Sequence, residues 1–141
     1  MLDETLHCCL YFTAGKLCRA MNKFAEEEFQ LVGLSPTYAF LLMIVNERKE
    51  ISPTELSERL HITNSTTTRF LDKLESKKLI QRVFLGRNAV ISSTPEGIAL
   101  QPEIEKAWER LYHRYSKLLG YKEGAHLARV IDEAGRKLEN D

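Results

Sequence analysis

Residues 64–69 read NSTTTR, a run of short hydroxyl and amide side chains followed by a guanidinium. At the start of a helix, Asn64, Ser65, Thr66 and Thr68 can come close to base edges or phosphates, and the free N–H groups of the first turn favour an anion. Arg69 can pair bidentately with a guanine edge or clamp a phosphate. Lys73 and Lys77, one and two helical turns on, are spaced to follow a nucleic-acid backbone. Arg82 and the Gly86-Arg87-Asn88 run that follows add two more cations. Taken alone, NSTTT also reads as a capping run and Arg69 as a solvated surface residue, so the surrounding charge and elements must decide.

The chain has 20 basic and 20 acidic residues and no formal net charge, yet the charge is unevenly placed. Residues 1–58 hold five basic and nine acidic residues, −4 in all, and residues 91–141 hold eight and nine, −1 in all. Residues 59–90 hold seven basic residues against Asp72 and Glu75 alone, a local +5. A field of that kind binds a polyanion even on a neutral protein.

No other constellation suggests chemistry. There is no Gly-rich phosphate loop, no H-E-x-x-H and no nucleophile elbow, so the chain is not expected to be an enzyme, and no cofactor is implied. Three cysteines, Cys8, Cys9 and Cys18, are an odd number and argue against a disulfide framework. On one intact helix Cys9 and Cys18 would lie on opposite faces, about 13 Å apart along the axis. With no C-x-x-C pair, a metal site is not expected. The ordinary reading of these thiols is as small apolar side chains. His113, beside Tyr112 and near Tyr115, reads as a surface or interface residue of a long helix.

The elements that would carry these residues follow from punctuation and period. The 141 residues are 43% apolar and 28% charged, a mix suited to one compact domain. Leu6, Leu10, Leu17, Met21, Phe24 and Leu31 predict one long helix over about 5–31. Ser35-Pro36 and Ser52-Pro53 each place a capping residue before a Pro at the first helical position, and Glu55 completes a capping box with Ser52. These signals predict helices over 36–48 and 53–60. The next helix, capped by Thr63 or Asn64, runs to about Lys77 with Phe70, Leu71 and Leu74 inward. After Leu79 the period changes, and 80–84 and 89–92 predict a hairpin turned at Gly86-Arg87-Asn88. Thr94-Pro95 begins a helix to about Leu119, kinked near Pro102, and a last helix covers 122–138. Two short helices with a tight turn and a trailing hairpin make a winged helix-turn-helix. The fold expected is thus mainly α, with about six helices and a two-stranded β-hairpin wing between long N- and C-terminal helices. Residues 35–94 form the DNA-binding lobe, and 1–34 with 95–141 the helical dimerisation region.

No stretch of about 18 uncharged apolar residues appears, and acids stand at the N-terminus where a signal peptide carries positive charge. A cytoplasmic protein with no membrane partner is expected.

The run LSPTYAFLLMIVNERKEISPTELSERLHITNSTTTRFLDKLESKKLIQR, followed by a hairpin and TPEG, resembles the MarR family of bacterial transcription regulators. The resemblance covers nearly the whole chain. It implies a homodimeric repressor on a palindromic, inverted-repeat operator in double-stranded DNA, with a dimer interface built from the first and last helices. It implies that the helix over 64–77 enters the major groove and that 80–92 is the wing. Many members carry Asp-x-Arg or Asp-Arg in a longer wing; here the wing is compressed to VFLGRNAVISS, with Gly86 at the acidic position and Arg87 matching the wing arginine. The resemblance also implies release by a small aromatic or phenolic effector, for which Tyr11, Arg19 and Tyr38 are the candidate contacts, or by oxidation of Cys8, Cys9 or Cys18. The competing reading is a winged-helix module for protein–protein contact without specific DNA binding, which the basic block and Arg87 speak against.

Overall fold

The computed structural model describes residues 1–140. Among them are eight α-helices, a short 3-10 turn and one antiparallel hairpin, in the order α1 (Leu2–Cys8), α2 (Leu10–Phe29), the 3-10 turn Gln30–Val32, α3 (Pro36–Arg48), α4 (Pro53–Leu60), α5 (Asn64–Ser76), β1 (Ile80–Leu85), β2 (Asn88–Ser93), α6 (Pro95–Ala99), α7 (Gln101–Leu119) and α8 (Tyr121–Glu139). The architecture is the expected mainly helical winged helix. The helix count exceeds six because two of the expected long helices are each broken once.

The first break is at Cys9, whose φ of −85° and ψ of 119° are extended. The expected helix over 5–31 is therefore two helices, and Cys9 and Cys18 do not share one intact helix. The 3-10 turn then rotates the phase of the chain. It carries Phe29, Val32 and Leu34 inward and leaves Leu31, an expected core residue, 81% exposed. The second break is at Leu100, just before Pro102, which lacks the N–H that would bond back into the preceding turn.

The described residues fall into two compact units, residues 29–107 and residues 1–28 with 108–140. The first takes in residues 29–34 and 95–107, which the sequence grouped with the flanking helices, because Phe29, Val32, Leu34, Ile104 and Ala107 are core residues. Its core also holds Leu41, Leu42 and Val45 of α3, Leu56 of α4, Leu71 and Leu74 of α5, and Ile80 and Ile91 of the hairpin. Phe29 meets Phe40 edge-on at 5.9 Å.

Side-chain caps set three of the helix starts in this unit. Ser52 accepts from Glu55 N at 3.2 Å, Thr63 from Thr66 N at 3.2 Å and Thr94 from Gly97 N at 3.1 Å. Two details differ from the expected capping. Ser35 has an N-cap backbone but makes no side-chain cap bond. Glu55 turns to Arg48 at 3.0 Å instead of closing the box on Ser52.

The Thr94-Pro95-Glu96-Gly97 corner has a specific job. The Thr94 hydroxyl donates to Lys78 O at 2.7 Å, and its amide donates to Leu79 O at 3.1 Å, so the start of α6 is fixed on the start of β1. Gly97 packs there so closely that a Cβ would lie 2.1 Å from Leu79 O.

In the other unit, Arg110 binds Glu28 through Oε2 and the carbonyl, both at 3.0 Å. Arg114 reaches Glu27 at 2.7 Å and lies 4.0 Å over the Phe24 ring. These contacts fasten the end of α2 to α7. His113 Nδ1 lies 2.8 Å from the Tyr121 hydroxyl, within an edge-to-face cluster with Tyr112 and Tyr115. Among the described residues no single helix is long and apolar enough to cross a membrane.

Gly97→Ala is expected to destabilise the chain by about 3 kcal/mol, the upper range for overpacking, because a backbone carbonyl cannot step aside. Urea unfolding of the two proteins measures it.

Candidate nucleic-acid interface

The helix-turn-helix is built from α4 and α5. Between them His61 takes the left-handed conformation (φ 54°, ψ 47°) as the C-cap of α4, which lets the chain reverse in three residues. The helices are pinned by a buried pair of hydroxyls. Ser57 Oγ donates to Pro53 O at 3.1 Å, so Thr67, 2.7 Å away, is the donor to Ser57. Thr67 is fully buried, which explains why one hydroxyl of the NSTTT run belongs to the core and not to the outer face.

The other residues of the run share the outer face. Asn64, Ser65 and Thr68 are exposed, and Thr66 is half-buried. Local bonds hold them in place: Thr63 donates to Thr66 Oγ1 at 2.8 Å, Ser65 Oγ lies 3.1 Å from Thr63 Oγ1, and Thr68 donates to Asn64 O at 3.0 Å. Arg69 is exposed, its guanidinium 5.7 Å from the Phe70 ring centre. Lys73 and Lys77 are exposed one and two turns beyond it. Lys78 is exposed too, in a left-handed conformation at φ 62°; the sequence reading counted its charge without placing it at the site.

The wing pairs Ile80↔Ser93 through Leu85↔Asn88, so each strand extends one residue further toward the turn than expected. Asn88 is the first residue of β2. The turn is the two-residue Gly86-Arg87, with Gly86 at φ 67°, a left-handed first position that suits a hairpin of this length and favours Gly. Arg87 is exposed at the apex. At the other end the wing is tied to the helix-turn-helix by an isolated bridge, Ile51 N to Ile91 O at 3.1 Å and Ile91 N to Ile51 O at 2.8 Å.

Arg82 differs from the other cations of the block in being engaged within the protein. Its side chain is only 17% exposed, it is hydrogen-bonded to Asp72, and its Nε faces Glu75 at 3.6 Å. These are the two acids of the basic block. Arg82 therefore joins the wing to α5 and offsets both carboxylates, leaving Arg69, Lys73, Lys77, Lys78 and Arg87 with no ion-pair partner among the described residues. The signal was present in the strand alternation, which puts Arg82 on the face of buried Ile80 and Ile91.

The candidate effector residues are divided between the two units. Tyr11 and Arg19 are exposed on α2 in one unit; Tyr38 is in the other, its ring 4.7 Å from that of Phe70 on α5. The three thiols are free, Cys8 and Cys18 exposed and Cys9 half-buried at the helix break. Among the described residues no group of three His, Cys, Asp or Glu is placed to hold a metal ion.

A capped helix pair pinned through its core, followed by a hairpin tied back to it, defines a winged helix-turn-helix protein. Residues 34–83 match the MarR family. The HTH-type transcriptional repressor MdtR of Bacillus subtilis (strain 168) is 25% identical over 118 residues, which span 82% of this chain and 76% of MdtR. Solved structures share the fold at lower identity. A mutant MarR of E. coli complexed with operator DNA superposes at a TM-score of 0.80, with 20% identity over 89% of this chain and 92% of that one. The repressor CouR bound to a 23-mer DNA duplex gives 0.82, with 20% identity over 90% and 92%. CouR of Rhodococcus jostii RHA1 bound to p-coumaroyl-CoA gives 0.73, with 17% identity over 95% and 91%.

Replacing Arg82 with Met keeps the packed stem and removes the charge. Exposed ion pairs contribute little, and Asp72 and Glu75 are well exposed, so stability is expected to fall by about 1 kcal/mol. Thermal unfolding of Arg82→Met checks this.

Proposed function

We propose that this chain is a homodimeric transcriptional repressor that binds an inverted-repeat operator, with α5 in the major groove and the wing in the adjacent minor groove. The observation that carries the reading is the set of five cations without an ion-pair partner among the described residues, on α5, its C-terminal end and the wing tip, beside the polar outer face of Asn64, Ser65, Thr66 and Thr68. The named activities of MdtR, MarR and CouR support it. In this reading Asn88, exposed beside the wing turn, contacts the groove wall with Arg87.

The dimer reading rests on α2 and α8. Leu10, Tyr11, Leu17 and Met21 of α2 and Leu127, Ile131 and Leu138 of α8 line an apolar groove of about 920 Å³. Leu10 is 65% and Leu138 69% exposed. Apolar surface of that extent needs a partner, and a second copy of the same helices supplies a self-complementary one. The two-fold axis would set the recognition helices about one DNA turn apart, ~34 Å.

For release, the reading favours a small aromatic or phenolic effector, as CouR's complex with p-coumaroyl-CoA suggests by analogy. Tyr38 is the candidate contact with a direct route to DNA, since its ring rests on Phe70 of the recognition helix. An effector that binds one spacing of the recognition helices better than another shifts the population and the operator affinity together.

A randomised duplex pool, selected with the wild-type chain and read by gel shift at two salt concentrations, tests the DNA reading. Selected sequences should form an inverted repeat, and binding should fall steeply with salt. Arg69→Ala and Arg87→Ala should each weaken binding by about 1–3 kcal/mol. Recovery of no preferred sequence would leave the protein–protein module as the better reading. Separately, Ile131→Asp should convert a sedimenting dimer to monomer while the far-UV circular dichroism stays helical.

A further inference from the structure

The wing tip is apolar on both faces. Val83, Phe84 and Leu85 are 50%, 69% and 64% exposed, three large hydrophobic residues in a row. The register places Phe84 opposite Ala89, on the face that carries Ile80 and Ile91 into the core, and Val83 opposite Val90 on the other face. Ala89 is too small to cover the Phe84 ring. Arg87 caps this apolar blade at the turn, without an ion-pair partner among the described residues. The three outer pairs extend about 10 Å past the last pair anchored in the core, Arg82↔Ile91.

Such a tip suits one kind of surface: an anionic entrance with an apolar interior. The minor groove of duplex DNA has phosphates at its rim, deoxyribose walls and base edges at its floor. It is ~7.5 Å deep, within the reach of the blade, but only ~6 Å wide. A guanidinium enters without disturbing it. A Phe ring and a Leu side chain on the blade do not, and their entry opens the groove and unstacks a base step. That cost is lowest at pyrimidine–purine steps.

We propose that Phe84 and Leu85 form an apolar wedge that enters the minor groove with Arg87 and bends the operator at a flexible pyrimidine–purine step, an inference that rests on the DNA-binding reading above. The wedge selects sequence by deformability at base pairs that the recognition helix does not touch. Each dimer carries two wedges, so two bends flank the centre of the inverted repeat.

The test uses the duplex recovered from the random pool by the wild-type chain, labelled at its ends with a fluorescent donor and acceptor. Wild-type protein should raise energy transfer by shortening the end-to-end distance. Phe84→Ser with Leu85→Ser should bind about tenfold more weakly or worse and without that rise. The slope of affinity against salt should be unchanged, because apolar groups release no counterions. Both residues are exposed, so the variant should keep the wild-type thermal midpoint. Wild-type binding without bending, or a double variant that bends DNA as the wild type does, overturns the wedge and leaves the repressor reading intact. Loss of dimer mass in the double variant overturns it as well, since the tip would then serve a protein contact. Failure of the wild-type chain to recover any duplex overturns both readings.

Discussion

A two-stranded hairpin is at best marginally stable in water, so everything the wing does depends on how its base is held. Three ties do this here. The Ile51–Ile91 bridge adds one pair of backbone hydrogen bonds from the segment before α4. Ile80 and Ile91 bury their side chains in the core shared with α3, α4 and α5. Arg82 reaches from β1 to Asp72 and Glu75 of α5. The bridge and the burial fix the wing's position. The ion pairs couple it to α5.

The same arginine organises the electrostatics. The chain is neutral overall, and long-range steering has to come from local imbalance. Were Asp72 and Glu75 unpaired, they would sit on the helix that carries Arg69 and Lys73, opposing any phosphate. Held by Arg82, they are offset at their source, and the remaining cations of the block have no ion-pair partner among the described residues. One largely buried cation thus shapes the charge of the outer face without lying on it, by neutralising two acids beside exposed cations.

The wing tip shows a different balance. The ionic support expected for a wing arginine is absent at Gly86, and that glycine instead supplies the positive φ of a two-residue turn. A turn this short leaves no loop to fold over the strands. Apolar side chains near the apex stay exposed, and the cation is presented on a stiff, hydrophobic blade in place of a hydrated loop.

Local signals settled much of this from the sequence. Ser52, Thr63 and Thr94 cap the helices they precede because a hydroxyl needs only the next turn of its own chain to find an N–H. The change of period after Leu79 marks the hairpin because strand and helix expose side chains at different intervals. The outer face of α5 and the apex position of Arg87 were legible for the same reason. Tertiary structure alone decided the pairing of Arg82 with two acids ten and seven residues back, the burial of Thr67 against Ser57, and the approach of Gly97 to Leu79 O. Each is a contact between elements, set by how helices and hairpin pack, and no local spacing encodes it. The break at Cys9 and the outward turn of Leu31 belong with these. A continuous apolar stripe predicts a continuous helix, but which residues go inward depends on the core waiting for them, and here that core takes Phe29, Val32 and Leu34.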